Sequence, residues 1–392
     1  MNSIFKYTEN NGEVIITGLK EGVADASIVI PETIDGMPVV EIVPWAFEST
    51  SIVDIKIGAN IRKIGDEAFY SCEELSSVTW NHKCDVIPDF CFLGCSNLTQ
   101  FDFSDIKKIG QYAFEKSGLQ KVFLPENIKI IEIGTFRECS GLRSVTWNCT
   151  CDVIPALCFY MCPNLTNFDF SSIKKVGQYA FVESGLQEVC LQKNIEILED
   201  GTFSRCNELR SVTWNCTCDV IPNFCFAVCS NLTNFDFSGI KKIGKYAFKE
   251  SGLQEVWLSE SIKNIEEGTF KECSGLRSVT WNCTCDVIPA LCFAVCSNLT
   301  QFDLSGIKKV GTSAFEKSGL TSVTLSKGTI VCKKCFVHCK SLAKVEWLSA
   351  RNIEGNIFAG CKNIKEIYIS DKVKNIEANA FVSSPNAEIT FV

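Results

Sequence analysis

The chain is predicted to be an α/β-type repeat solenoid, mainly β, curved and right-handed, with a parallel β-sheet on its concave face and about 16 turns of 22–23 residues. Three observations predict it. The string VTWN begins at Val78, Val145, Val212 and Val279, each 67 residues after the last, and GLRSVTWNCTCDVIPALCF occurs identically at 141–159 and 275–293. Within that long unit a phenylalanine returns three times, so the chain carries a column of Phe47, Phe69, Phe92, Phe114, Phe136, Phe159, Phe181, Phe203, Phe226, Phe248, Phe270, Phe293, Phe315, Phe336, Phe358 and Phe381. Each is followed by an alternating segment such as LSSVTW, LTQFDF or LQKVFL. A fixed short period marks a repeat array, and alternation over five or six residues marks a strand with one buried face.

Each turn has the same grammar around its phenylalanine. An aliphatic residue stands five positions before it (Ile109, Ile131, Ile154), Cys or Ser three after it, and Leu or Ile six after it in most turns. In the first alternating segment Leu75, Val78 and Trp80 are expected to point inward, and Ser77, Thr79 and Asn81 outward. One such turn cannot bury its apolar side alone, so the turns must stack around a shared core. Each buried phenylalanine contributes roughly 1.5–3 kcal/mol, which makes the phenylalanine column the spine. The expected division is an N-terminal cap at 1–45, repeats over 46–381 in a 67-residue superrepeat of three turns, and a C-terminal cap strand at 382–392. The turns after Phe315 depart from the copied unit.

The segments IGDEAFYSCEELSSVTW (64–80) and IGQYAFEKSGLQKVFLP (109–125) resemble the repeat of BspA-type (Treponema-type) leucine-rich proteins. The opening, GEVIITG followed by VIPETIDGMPVVEI, is similar to the N-terminal cap of bacterial members. The likeness spans nearly the whole chain. It implies a leucine-rich-repeat solenoid and a role in adhesion or partner binding at the surface of bacteria and protists.

Charge narrows the partner. A net charge of −8 opposes a phosphate backbone, which requires a basic surface that releases counterions. Nucleic acid is therefore not the expected partner. No stretch reaches the roughly 18 apolar residues of a membrane span, and the start has no apolar region of signal-peptide length. Membrane insertion is not expected.

Of the 24 cysteines, ten stand three after the phenylalanine, five immediately before it (91, 158, 225, 292, 335) and four (84, 151, 218, 285) in place of an aliphatic eight before it. That register reads as buried free thiols. Disulfides remain open, because cysteines on adjacent turns sit about one strand spacing apart. A metal site is not expected, since structural zinc sites pair their ligands as CxxC with CxxC or HxxxH. Cys149, Cys216 and Cys283 in loops, and Cys190 on the open strand face, are the expected reactive thiols. Free thiols point to a reducing compartment and the family resemblance to the cell surface, so location stays open. Seven N-x-T sequons read as by-products of duplication.

No catalytic residue, metal ligand or cofactor is expected. His82 and His338 are the only histidines, and neither recurs beside a nucleophile. The carboxylates Asp169 with Glu188, and Asp236 with Glu255, would lie on a diagonal of roughly 7–8 Å, yet an open sheet offers no pocket to raise an acid's pKa. What remains is the outward strand face. Its central column places Thr79, Thr146, Thr213 and Thr280 on first turns, Asp102, Asp169, Asp236 and Asp303 on second turns, and variable residues, including Phe123, Trp257 and Tyr368, elsewhere. These are the expected partner-binding residues. The expected partner is a protein, such as a host or matrix protein, or another extended macromolecule; an intracellular protein-interaction scaffold is the alternative. The paired lysines Lys107/Lys108, Lys174/Lys175, Lys241/Lys242 and Lys308/Lys309 on the opposite side read as solubility and edge protection rather than as a docking stripe.

Overall fold

Every turn is organised around its core phenylalanine. The computed structural model describes residues 3–23, 27–81 and 83–392, in two units, Met1–Ile197 and Leu198–Val392. Each unit is a mainly β stack of parallel coils, with no α-helix among the described residues. In the first unit the rings from Phe47 to Phe181 stack in sequence with centroids 5.3–5.9 Å apart. In the second the rings from Phe203 to Phe381 stack at 5.3–5.9 Å. Except for half-buried Phe381 these rings are buried, and stacking adds about 0.5–1.5 kcal/mol per pair beyond burial. Phe5, from the hairpin Phe5–Asn10/Glu13–Leu19, packs edge-on against Phe47 at 6.4 Å.

The backbone around each ring was not legible in the sequence. The residues two before and two after the phenylalanine are left-handed in nearly every turn, as at Glu67 and Ser71 (φ 59° and 54°) or Leu157 and Met161 (58° and 54°). This alternation aims every second N–H at the next coil. Phe47 donates to the Ala68 carbonyl (2.9 Å) and Ser49 to the Tyr70 carbonyl (2.8 Å), whereas Glu48 and Thr50 bond three residues back. A left-handed non-glycine residue costs roughly 1–2 kcal/mol, and inter-coil hydrogen bonds of about 0.5–1.5 kcal/mol each offset it turn after turn.

Two parallel ladders flank the ring column. The expected one runs through strands such as Lys121–Leu124 with Ser144–Trp147, and Glu255–Leu258 with Ser278–Trp281. A second, unanticipated ladder of two-residue strands carries the aliphatic five before each ring, for example Val86–Ile87, Lys108–Ile109 and Ile130–Ile131.

The expected strand ladder needs two corrections. The middle turn of each unit of three forms no strand: residues 99–103 lie between strands Ser77–Thr79 and Lys121–Leu124 without one. There Asp102 Oδ1 accepts the Ser104 N–H (3.0 Å), closing a turn, and two inward rings, Phe101 and Phe103, fill the space with centroids 4.9 Å apart. Asn81 does not point outward. It is buried, and its Nδ2 donates to the carbonyls of Gly58 (2.7 Å) and Ile61 (2.9 Å). Asn127 repeats this cap on Ser104 and Ile106.

The thiol column behaves as its register predicts at the position three after the ring. Cys72, Cys95, Cys139 and Cys162 donate to the carbonyls of Phe47, Phe69, Phe114 and Phe136, and Cys229, Cys273, Cys296, Cys339 and Cys361 do the same in the second unit, all at 2.9–3.2 Å. Burial pushes the thiols of Cys139 and Cys273 up to about 12, so they remain protonated donors. The position eight before the ring is less enclosed than expected: Cys84 is buried, but Cys151, Cys218 and Cys285 are half-buried.

Candidate binding face

The strand ladder sets the geometry of the outward face. In the first unit Phe123 stands beside Thr146, and in the second Trp257 stands beside Thr280, each pair in parallel register. Alternation buries the neighbours of these aromatics, Val122 and Leu124, Val256 and Leu258, and leaves the rings themselves 57% and 55% exposed. Thr79, Thr146, Thr213 and Thr280 are likewise exposed. Tyr368 differs. It is half-buried, its hydroxyl donates to Glu366 (3.3 Å), and Lys344 Nζ lies 5.0 Å from its ring centroid.

Asp102, Asp169, Asp236 and Asp303 are exposed. Each accepts the backbone N–H two residues on, from Ser104, Ser171, Ser238 and Ser305, at 2.8–3.0 Å. One oxygen of each acid is thus committed to shaping the turn that replaces a strand, and in Asp236 the other accepts the Ser238 hydroxyl (2.9 Å). Glu188 and Glu255 are exposed on their strands.

The paired lysines lie on the second ladder, and the acids of neighbouring coils meet them. Lys107, Lys174, Lys241 and Lys308 bond to Asp85, Asp152, Asp219 and Asp286 at 2.7–2.9 Å, and Lys108 and Lys242 to Glu132 and Glu266 at 3.1 and 2.7 Å. The hydrogen bond raises the pKa of Lys107, Lys174 and Lys308 and lowers that of Asp286. A stripe that reads as basic in the sequence is laced with opposite charge.

The expected reactive thiols separate. Cys190 is exposed on strand Glu188–Leu191, whereas Cys149 is buried and Cys216 and Cys283 are half-buried. A hydrogen bond from the following thiol, Cys151, Cys218 or Cys285, lowers the pKa of each of these three. His82 lies outside the described residues. Among the described residues no three His, Cys, Asp or Glu side chains gather as a metal site, and no helix is long and apolar enough to cross a membrane.

Sequence reasoning missed a second set of aromatics. At the left-handed position two before the ring, half-buried Phe90 stacks on half-buried Tyr112, and exposed Phe224 on half-buried Tyr246, at 5.4 Å. Phe90 and Tyr112 line a shallow cleft of about 400 Å³ with Leu157, Tyr160 and the ion pair Glu115–Arg137. The signal was present, as an aromatic two before the core residue in second and third turns, but it fell outside the strand segments.

Comparison with known proteins accords with this geometry. The model of the BspA type leucine rich repeat region matches residues 26–143, 107–233, 152–277, 219–343 and 329–392. A leucine-rich repeat protein from Bacteroides ovatus is 22% identical with a TM-score of 0.75, over 100% of this chain and 99% of that one. A leucine rich cell surface protein from Faecalibacterium prausnitzii is 19% identical with a TM-score of 0.50, over 100% and 94%. The leucine rich repeat protein of T. pallidum is 27% identical over 53% of this chain and 88% of its own, with a TM-score of 0.40. Among curated proteins none matches. With matches running from residue 26 to residue 392, the chain belongs to the BspA-type leucine-rich repeat family.

Proposed function

We propose that this protein is a non-enzymatic binder that recognises another protein, in adhesion or protein–protein recognition, through its outward strand face. The observation that carries the reading is the exposure of Phe123 and Trp257, one in each unit, in a face that is otherwise mostly polar. A large ring held in water by a rigid strand loses little conformational freedom on binding, and such rings, when truncated at an interface centre, cost 2 kcal/mol or more. Thr146 and Thr280 beside them supply hydroxyls, and Asp102, Asp169, Asp236 and Asp303 add negative charge that steers a basic partner. Thr79 in the first unit and Tyr368 in the second stand at the same outward strand position. A cell-surface setting matches that of the similar Faecalibacterium prausnitzii protein, a leucine rich cell surface protein.

The test begins with the partner recovered by the intact chain. Phe123→Ala with Trp257→Ala should weaken its affinity at least tenfold, roughly 1.4 kcal/mol or more, at unchanged circular dichroism. Equal affinity in the double variant removes the strand face from the interface.

A further inference from the structure

The turns that follow Phe315 carry charge unlike the rest of the chain. Residues 316–365 hold nine lysines and arginines against three glutamates, a surplus of six positive charges within a chain of net charge −8. These are turns that depart from the copied 67-residue unit. Where the unit has Glu138 or Glu272 two after the ring and Ser140 or Ser274 four after it, the turn of Phe336 has His338 and Lys340, and the turn of Phe358 has Lys362.

The fold gathers part of this charge in one place. A cleft of about 900 Å³ runs across consecutive coils of the second unit, lined by Lys317, His338, Lys340 and Lys362 with Ser297, Ser341 and Asn363. Lys340 and Lys362 occupy the same register one coil apart, a spacing of roughly 4.8 Å, and Asn363 Nδ2 ties the two coils by donating to the Lys340 carbonyl (2.8 Å). Gly360 (φ 77°) leaves room for the His338 imidazole, with which any Cβ there would collide. Lys317 lies 3.9 Å from Glu316, and among the described residues Lys340 and Lys362 make no ion pair. The contrast with the second ladder is direct: there Lys107, Lys174, Lys241 and Lys308 each face an aspartate, and here two amines face an open cleft.

We infer that this cleft binds a sulfated oligosaccharide. Its volume exceeds that of a single small anion, and its repeated amines match a linear chain bearing fixed charges at short intervals. Its serines and Asn363 offer hydroxyl and amide groups to sugar hydroxyls. Two other polyanions fit less well. Single-stranded nucleic acid is held by aromatic stacking platforms, and the lining has no aromatic ring larger than imidazole. Phosphopeptides are gripped by the bidentate fork of arginine, and the lining has no arginine. The site lies in the turns after the core rings rather than on the strand face, so its failure leaves the proposed strand-face recognition untouched.

Titration calorimetry of the whole chain with a heparin-type sulfated hexasaccharide, at about 0.15 M salt where exposed charge pairs are partly screened, tests this. The sulfated sugar should bind at least tenfold more tightly than its desulfated form, a sulfate-free uronate hexasaccharide or a hexanucleotide. Lys340→Ser with Lys362→Ser should weaken binding roughly fivefold or more, Lys340→Arg with Lys362→Arg should retain it, and Lys174→Ser with Lys175→Ser should leave it unchanged. No preference for sulfate, tighter binding of the nucleotide or uronate, or equal loss in the Lys174/Lys175 variant would overturn the assignment.

Discussion

The strand ladder and the second ladder are both exposed, both periodic and both polar, yet their side chains are satisfied to different degrees. On the second ladder Lys107, Lys174, Lys241 and Lys308 each meet an aspartate of a neighbouring coil. On the strand ladder Phe123 and Trp257 stand in water beside threonines. Periodicity alone cannot tell a solvated surface from a recognition surface. What separates them is whether the fold has already supplied each group with its complement, and the cleft around Lys340 and Lys362 is informative for the same reason.

In each unit both ladders hang on the ring column, so the largest effect should come from breaking it. Phe136→Ala removes a ring stacked on both sides and should cost about 3–5 kcal/mol, read as a fall in Cm in urea; a loss below about 1 kcal/mol would show that the ring column is not the spine. The buried thiols set a second, pH-dependent limit. Cys139 and Cys273 have folded pKa values raised to about 12 from an ordinary value near 9. Their contribution is complete below pH 9 and is lost as pH rises from there towards 12, at up to roughly 1.4 kcal/mol per pH unit for each such thiol. Burial pushes Cys91, Cys158, Cys225 and Cys292 the same way. Far-ultraviolet circular dichroism should therefore report unfolding in that alkaline window, and a fold unchanged at pH 12 would contradict the burial of these thiols.

Much of this was legible because repetition multiplies weak signals. Sixteen phenylalanines at near-constant spacing announce the stack, and the offset of Cys139 or Cys273 from its ring shows that it is a core residue before any contact is known. The illegible parts share one cause, local geometry set by residues of no special preference. Glu67, Leu157 and Met161 adopt left-handed backbone without being glycine, because the inter-coil hydrogen bond rewards it. Asn81 follows an alternating strand and would continue outward, but the Gly58 and Ile61 carbonyls of the previous coil draw it in. Asp102 keeps its place on the outward column while its side chain ends the strand that the alternation of LTQFDF implies. The half-buried stack of Phe90 on Tyr112 was hidden because its offset belongs to the turn and not to the strand.

Smaller effects sharpen the contrast between the ladders. Cys139→Ala removes one of the two donors to the Phe114 carbonyl, the Ser117 N–H (3.0 Å) being the other, and should cost about 0.5–1.5 kcal/mol for that hydrogen bond, whereas Cys139→Ser, which keeps a donor, should cost less; equal losses would show that packing alone matters there. The smallest change is expected on the second ladder. Lys308→Ser releases Asp286 from its partner, returning the acid's pKa towards the ordinary range. In the native chain that pair helps only above the ordinary aspartate range and is lost as pH falls through the lowered value. At neutral pH the melting temperature should move by no more than roughly 2 °C.

The central proposal, that recognition belongs to the strand ladder and not to the laced one, is met most directly by photo-cross-linking. A photoreactive phenylalanine analogue placed at Phe123 or Trp257, and in separate variants at Lys174 or Lys308, is irradiated with the partner recovered by the intact chain. The account predicts cross-links from Phe123 and Trp257 and none above background from Lys174 and Lys308. Cross-links confined to the lysine positions would contradict it.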